Sequence, residues 1–598
     1  MRATTGHNVD VLSDFSTNRR VLLLSLLAVP IGVIGAVVAK VLMWLIAVIT
    51  NASFYMTWST YFRTPEKNHL GLWVILVPVV GSIIVGLMAR YGSDKIRGHG
   101  IPEALEAIIL GRSLIDPKVA ILKPLSSAVA IGTGGPFGAE GPIIMTGGAF
   151  GSLFAQFFDV TAGERKTLLV AGAAAGMAAV FSTPVAAVLL AVELMLFEWR
   201  PRSFIPVTVA AVIAELARVP LLGAGPIFPV AAHMVLSPTA LCVSLGIGVV
   251  VGLGSGALTM LVYACEDFFP KLSLHWMWWP ALGGVVVGIG GYLDPRVLGV
   301  GYDTIHHLML GELVGGTLVA LVIGKSIVWA VALGSGTSGG VLAPLLMVGG
   351  GLGALIGPYT GLGDPGLWAM IGMAAMMGGT MNSPLTGAVF VLELTNDINI
   401  LPALLVSSAA ALCVTVLILR RSILTEKLAR RGQHVAREYS VDVFEIMRVA
   451  DVMDPRPPTI LASTPVAELS DRIAKGDREL SRRQAAFVVD GTGRLVGVIT
   501  RGDILKVLSE GSAKTKTVLE AAGKDLEVAY PDETLQTAIG KMLKKDVGRL
   551  PVVERSAGGK IVGYVGRADI LAARSRIHDE EELRERGPIA AAHVRIPR

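Results

Sequence analysis

One carboxylate, Glu140, stands in a glycine-rich apolar stretch, GTGGPFGAEGPIIMTGG, residues 132–148. An ionisable side chain inside a membrane segment is costly, so it marks a functional site by default. Glycine lets backbone approach a ligand and proline is tolerated in the first turn of a helix, so this order predicts a helix N-terminus. Such an end, with free amides and a positive dipole, binds anions. We therefore predict that Glu140 occupies an anion site and gates it. The alternative is a carboxyl that is neutral or hydrogen-bonded for structural reasons.

Two further segments have the same form, GHGIPEALEAIIL at residues 98–110 and GTSGGVLAPLLM at residues 336–347. Amide donors from converging helix ends would stabilise an anion without a full positive charge, which would hold it too long for conduction. A divalent cation would instead need several converging carboxylates. A membrane hydrolase is not indicated either, because no HExxH motif or paired catalytic acids occur. The pattern therefore favours anion transport over both alternatives.

Composition supports a membrane location, since 52% of the 598 residues are hydrophobic and 17% are charged. The apolar runs at residues 21–49 and 401–419 reach the ~20 residues needed to cross a bilayer. Runs at residues 120–131 and 186–196 are shorter and predict broken or re-entrant helices, which protein or a wet cavity must cover. The first run lacks a signal-peptide cleavage site, so we predict a permanent span. The expected fold is an all-α polytopic membrane protein.

The membrane region repeats itself. Residues 175–195 parallel residues 376–395, with Glu193 and Glu393 in matching places, and residues 132–151 parallel residues 334–353, each pair about 200 residues apart. This predicts two inverted repeat halves, roughly 80–220 and 275–420, as in transporters whose site lies at the repeat interface. We predict that Glu193 and Glu393 are structural acids that meet amides or basic partners.

Positive charge follows the last apolar run, and by the positive-inside rule this end is cytoplasmic. The basic residues are Arg420, Arg421, Lys427, Arg430, Arg431 and Arg437. We therefore place residues 1–20 and the C-terminal region in the cytoplasm. The membrane itself is predicted to be the inner or cell membrane. A nucleic-acid partner and a metal site are not expected. The three cysteines, Cys242, Cys265 and Cys413, are predicted to be small core residues.

A soluble region follows a linker at residues 432–449 and contains one unit twice, at residues 485–508 and 548–574. Each copy has an apolar strand, a glycine turn, a second strand, and a helix opened by Asp503 or Asp569. The pattern predicts two small α/β modules, 450–510 and 514–575, packed as a pair. A charged tail follows at residues 576–598.

This soluble repeat resembles the CBS domain pair, a cytoplasmic regulatory module. The resemblance implies an adenine nucleotide in the cleft, with Asp503 and Asp569 on the ribose hydroxyls and Thr500 near the phosphates. Gly566 stands where the second module would carry its hydroxyl. The alternative is that each aspartate only caps its helix.

The three glycine-rich segments, together with the F-x-x-P helix start at residues 181–184, resemble the CLC family of chloride channels and proton-coupled chloride antiporters. The resemblance covers residues 21–431 and implies a homodimer in membrane lipid, each subunit with its own pathway for chloride or another small anion. No cofactor is required. Glu140 matches the gating glutamate, and the implied anion-binding residues are Gly98, His99, Gly100, Ile101, Gly138, Val341 and Leu342.

Four positions depart from the family pattern. His99 replaces a serine that touches the anion, and Leu342 stands where phenylalanine would lend its amide. Leu424 occupies the place of a tyrosine whose hydroxyl also touches the anion. Leu194 occupies the place of the inner glutamate that hands protons to the gate in antiporters, and leucine cannot relay a proton. We therefore predict passive or weakly proton-coupled anion flow, gated by Glu140 and regulated by the CBS pair. The alternatives are a proton-coupled chloride antiporter and a CBS-regulated divalent-cation transporter.

Overall fold

The computed structural model describes residues 19–109, 111, 113–231, 233, 236–419, 422–424, 426, 444, 447–477, 480, 485–523, 526–555, 559–582 and 584–585. The chain divides into two compact units, residues 1–433 with 583–598, and residues 434–582. The first unit is helical and contains the predicted membrane region. The second contains the predicted α/β modules.

The membrane unit consists of two successive sets of helices with the same order. The first set is α1 (Arg20–Tyr55), α2 (Leu76–Tyr91), α3 (Ile101–Ile109), α4 (Pro117–Gly132), α5 (Glu140–Ala155), α6 (Ala162–Phe181), α7 (Pro184–Leu190) and α8 (Pro201–Leu222). The second set is α9 (Pro238–Phe268), α10 (Trp279–Leu293), α11 (Tyr302–Met309), α12 (Gly315–Gly334), α13 (Leu342–Ile356), α14 (Pro365–Met381), α15 (Pro384–Thr395) and α16 (Leu401–Ile418).

The packing of the two sets follows the same repeat. Helix α1 packs against α8 as α9 packs against α16, and α5 packs against α6 as α13 packs against α14. Helices α2 and α10, and also α7 and α15, pack on each other across the two sets. The repeat therefore extends beyond the predicted halves, because α1 and α9 also correspond.

Helix lengths separate full spans from broken ones. Seven helical segments within the described residues are long and apolar enough to cross a membrane. The segments Pro184–Leu196 and Pro384–Thr395 are apolar but shorter. Residues Ala191–Leu196 continue α7 as a π-helical turn. Helix α5 begins at Glu140 and is almost wholly buried, because other helices of the unit surround it. Such covered helices can begin inside the protein at membrane depth.

The cysteine prediction is wrong for two of the three residues. Cys242 on α9 and Cys413 on α16 are exposed, and Cys265 is intermediate. Lipid tails are as apolar as a leucine side chain, so small apolar residues of a membrane helix are equally stable on its lipid-facing side.

The soluble unit contains the two predicted modules. Its strands are β2 (Thr459–Leu461), β3 (Ala485–Val489), β4 (Leu495–Thr500), β5 (Arg549–Val553) and β6 (Ile561–Gly566), after β1 (Val160–Thr161) of the membrane unit. Its helices are α17 (Val466–Ala474), α18 (Arg501–Ser509), α19 (Val518–Ala521), α20 (Leu535–Lys545) and α21 (Arg567–Glu582). Strand β2 is parallel to β3, while β3 and β4, and also β5 and β6, pair antiparallel. A further short strand, β7 (Arg584–Glu585), pairs antiparallel with β1.

Each module has its own core. The first is built around Val466, Leu469 and Val488. The second is built around Leu535 and Val552, at equivalent places in the repeat. The two modules meet within the unit at Phe487 and Tyr564, whose ring centroids are 5.8 Å apart. The predicted residues 432–443 of the linker and 586–598 of the tail lie outside the described residues.

Candidate functional site

Helices α5 and α13 meet at their N-termini through a backbone bridge. The Gly138 amide donates to the Gly340 carbonyl at 3.2 Å, and the Gly340 amide donates to the Gly138 carbonyl at 2.9 Å. Gly138 and Gly340 are equivalent positions of the two halves, so the bridge lies on the axis that relates them. This antiparallel pairing places two positive helix ends side by side in the interior of the unit.

The loop before α3 completes the site. The Gly339 amide donates to the Gly98 carbonyl at 3.4 Å. Gly98 and Gly100 have φ angles of 81° and 90°, a backbone conformation that favours glycine. A methyl group on Gly141 in the first turn of α5 would collide with the His99 carbonyl. The structure therefore brings together all three glycine-rich helix starts, as expected if they form one anion site.

Glu140 lies where these helix ends converge. It is the first residue of α5 and is completely buried. A methyl group on Gly138 would overlap its carboxylate, and one on Gly340 would lie 2.8 Å from Oε2. Lys325 interacts with this carboxylate electrostatically. The carboxylate thus occupies the space at two helix N-termini that a bound anion would use.

The contacts of the Glu140 carboxylate are incomplete. Among the described residues, neither carboxylate oxygen has a hydrogen-bond partner of good geometry. A carboxylate fixed for a structural role would be expected to accept several well-aligned hydrogen bonds, because an unsatisfied buried charge is costly. The geometry therefore favours the gate over the structural alternative.

The predicted anion-binding residues are all buried near Glu140, but two of their amides are already engaged. The Gly138 amide is used in the bridge to Gly340. The Gly100 amide donates to Glu103 Oε2 at 2.9 Å. The other five predicted residues remain as candidates to donate an amide to an anion, and they are Gly98, His99, Ile101, Val341 and Leu342.

The two positions that lack the family's polar groups are completely buried. Leu194 lies in the π-helical turn after α7 and is completely buried. Leu424 is likewise completely buried. Neither side chain can donate or relay a proton.

A cavity approaches the site from the side of α3. Its volume is about 680 Å³, and its lining includes His99, Glu103, Glu106 and Met145. Met145 follows Glu140 by five residues on α5, which is about 7.5 Å at 1.5 Å per helical residue. The cavity also holds Arg97, which lies over the Trp276 ring at 4.6 Å. A charged cavity therefore reaches to within two helical turns of Glu140.

Two buried lysines were missed by the sequence interpretation. Lys123 Nζ on α4 donates to the carbonyls of Ile96 and Gly98 at 2.9 and 2.7 Å. Lys325 Nζ on α12 donates to the carbonyls of Val297 and Gly299 at 2.9 and 3.0 Å. The lysines are equivalent in the repeat, and each holds the loop before α3 or α11. Their signal was a charge within an apolar run at the repeat spacing.

The Glu193 and Glu393 carboxylates meet backbone amides, as predicted. The Glu193 carboxylate accepts hydrogen bonds from the Leu385 and Thr386 amides at the start of α15, at 3.3 and 2.9 Å. The Glu393 carboxylate accepts them from the Val185 and Ala186 amides at the start of α7, at 3.0 and 2.8 Å. Each acid at the end of one broken helix therefore caps the other, which requires α7 and α15 to run antiparallel.

The predicted nucleotide-binding residues of the soluble unit make local caps. Thr500 Oγ1 donates to Asp503 Oδ2 at 2.7 Å, and the Thr500 amide donates to the same oxygen at 2.8 Å. The Gly566 amide donates to Asp569 Oδ2 at 2.9 Å. Helix capping, the alternative interpretation, is thus present at both aspartates. Capping through one oxygen does not prevent the other from accepting a ligand hydroxyl.

Comparison with known proteins matches both units. Residues 80–416 match the family described as voltage gated chloride channel. Residues 449–510 and 519–576 match the CBS domain. The voltage-gated ClC-type chloride channel ClcB of Salmonella typhimurium is 30% identical over 376 residues, which are 60% of this chain and 87% of that protein. Chloride channel protein CLC-f of Arabidopsis thaliana is 26% identical over 583 residues, which cover 83% of this chain and 72% of that protein.

Solved structures show the same fold. A slow cyanobacterial Cl−/H+ antiporter aligns with a TM-score of 0.61 at 22% identity, over 70% of this chain and 99% of that chain. A eukaryotic CLC transporter aligns with a TM-score of 0.59 at 20% identity, over 92% of this chain and 98% of that chain. The predicted fold class, an all-α polytopic membrane unit with repeats and broken helices plus an α/β CBS pair, is confirmed.

Proposed function

The chain belongs to the voltage-gated chloride channel family, and from this premise we propose that it conducts chloride through a pathway gated by Glu140. The observation that carries this proposal is the buried Glu140 carboxylate at the converging N-termini of α5 and α13. A carboxylate there is a tethered anion, and it competes with a permeating anion for the same amides. The protein is a transporter of ions across the membrane and not an enzyme.

The gate opens when the carboxylate loses its advantage over a free anion. Protonation removes the negative charge that the helix ends stabilise, and a permeating chloride can then replace it. Backbone amides hold that chloride by partial charges alone, so release on the other side remains fast. Anion flux is therefore expected to increase as the pH falls.

The flow is passive or weakly coupled to protons, because Leu194 stands where an antiporter needs an acid. Its side chain is completely buried and apolar. A proton-coupled antiporter is the second candidate, and one feature favours it. The cavity beside α3 places His99, Glu103 and Glu106 near the gate, and such groups can carry protons. The experiment below separates the two mechanisms.

The test is ion flux from proteoliposomes that contain the full chain, with a pH electrode in the outer solution. We expect chloride to leave the vesicles without a fixed number of protons entering. Proton movement against its gradient, driven by a chloride gradient, would establish antiport in place of passive flow. Vesicles loaded with magnesium are the control for the cation alternative, and we expect no magnesium efflux.

The assembly and orientation complete the proposal. The protein is a homodimer in the inner or cell membrane, each subunit with its own pathway, and its C-terminal CBS pair lies in the cytoplasm. The family match and the basic residues after α16 support this arrangement. The CBS pair binds an adenine nucleotide between its modules and adjusts the gate accordingly.

Nucleotide binding can be separated from helix capping by comparing two capping acids. Glu520 closes a capping box with Thr517 as Asp503 does with Thr500. Replacement of either acid with alanine should cost about 1 kcal/mol of stability. Only Asp503→Ala is expected to weaken ATP binding, roughly tenfold or more in Kd, or about 1.4 kcal/mol. Calorimetric titration of the full chain with ATP measures this, and equal affinities for both variants would assign Asp503 to capping alone.

A further inference from the structure

The start of α11 repeats the start of α3 on the other side of the gate. Lys325 holds the carbonyls of Val297 and Gly299 as Lys123 holds those of Ile96 and Gly98. Gly301 at the N-cap of α11 has a φ of 77°, and Gly100 before α3 has a φ of 90°. Because the halves are inverted, the two loops approach Glu140 from opposite faces. We call the α11 side the outer side.

Tyr302, the first residue of α11, brings a hydroxyl to this outer side. Its Oη is buried and has no hydrogen-bond partner among the described residues. A buried polar group without a partner is costly and rare, so it calls for a ligand or a bound water. The loop that begins α11 is bonded to the loop that begins α5, because the Gly299 amide donates to the Gly134 carbonyl at 3.0 Å. The hydroxyl therefore lies on an element next to the gate.

Aromatic rings lie beside the Tyr302 side chain, which is half-buried. Its ring centroid lies 5.9 Å from those of Phe62 and Phe228 and 6.4 Å from that of Phe181. These rings offer no strong hydrogen-bond donor, so an anion that reaches them must lose water. The Tyr302 hydroxyl can then donate a hydrogen bond to it, and the N-terminus of α11 adds a positive dipole.

A cation lies beneath the same loop. Lys325 Nζ is 3.9 Å from the place that a Cβ on Gly301 would occupy. Lys325 also acts electrostatically on Glu140. Its charge is used in holding two carbonyls but is not neutralised by them, because carbonyls carry no net charge. The outer side of the gate thus combines a helix N-terminus, an unpartnered hydroxyl and a buried positive charge.

From this arrangement we infer that Tyr302, with the N-terminus of α11, forms an outer anion-binding position outside Glu140. The ligand is a small monovalent anion such as chloride. The inference rests on the proposed anion pathway and adds to it a residue that selects and dehydrates the ion on the outer side.

The test is the dependence of chloride uptake on the external chloride concentration for Tyr302→Phe, which removes one oxygen atom and keeps the ring packing. The half-saturating concentration is expected to rise roughly threefold to tenfold, the effect of one lost hydrogen bond. Tyr292→Phe is the matched control, because Tyr292 on α10 is 49% exposed. The variant must elute from size exclusion as the wild type does, and an unchanged half-saturating concentration would overturn the inference.

A second comparison asks whether the hydroxyl binds the anion or only the gate. If it binds the anion, Tyr302→Phe must raise the half-saturating concentration in a Glu140→Ala background as well. Loss of the effect in that background would assign the hydroxyl to the carboxylate and reject the anion position. Wild-type vesicles in the same series test the pathway separately: absence of any chloride uptake there would reject the proposed function and not merely the role of Tyr302.

Discussion

Glu140→Ala is expected to raise chloride flux at neutral pH about tenfold. This corresponds to about 1.4 kcal/mol, the free energy that chloride no longer spends on displacing the carboxylate. The flux should also become independent of pH. The reason is that the wild-type carboxylate occupies the amide-lined space until it is protonated or displaced, and alanine leaves that space to the permeating anion. Flux measured from proteoliposomes between acidic and alkaline pH gives both quantities.

Two variants bracket this result. Glu140→Gln keeps the shape of a protonated glutamate, so it should also abolish the pH dependence. Glu312→Gln removes an acid whose side chain is 53% exposed and should behave as the wild type does. A Glu140→Ala protein that retained the wild-type pH dependence would place the gate in another residue.

Lys325→Met is expected to lower the free energy of unfolding by about 2–4 kcal/mol, because two buried carbonyls lose a charged donor. Lys123→Met should have a similar effect, since it removes the equivalent pair of contacts in the other half. Lys40, exposed on α1, provides the control, and Lys40→Met should be close to neutral. The three variants are compared by heating each protein in detergent and measuring the fraction that remains monodisperse at each temperature.

Lys325→Met should also change gating. It removes a positive charge that favours the ionised Glu140 carboxylate, so the carboxylate is protonated more readily and half-maximal flux moves to higher pH. Lys40→Met, which removes an exposed lysine of α1, should leave that midpoint in place. Equal midpoints for both variants would show that Lys325 serves only to hold its loop.

The sequence by itself determined the local features of this protein. Glycines followed by proline and an apolar run mark the starts of α5 and α13. This order of residue types is compatible with a helix N-terminus and with few other local structures. The spacing of about 200 residues identified the repeat, and with it the equivalent acids Glu193 and Glu393. Strand and turn patterns likewise indicated the two α/β modules, and the family resemblance added the gate at Glu140.

Only the tertiary structure decided which groups meet. Periodicity shows that a residue is buried but not what it contacts, since the partners come from helices that are far apart in the chain. It therefore could not reveal that the Gly138 amide is used by Gly340, that Lys325 holds Gly299, or that the Tyr302 hydroxyl is buried without a partner among the described residues. Nor could it tell buried from exposed cysteines, because the surface of a membrane unit can be as apolar as its core. The proposed gate depends on inverted halves packed together, and neither half contains it alone.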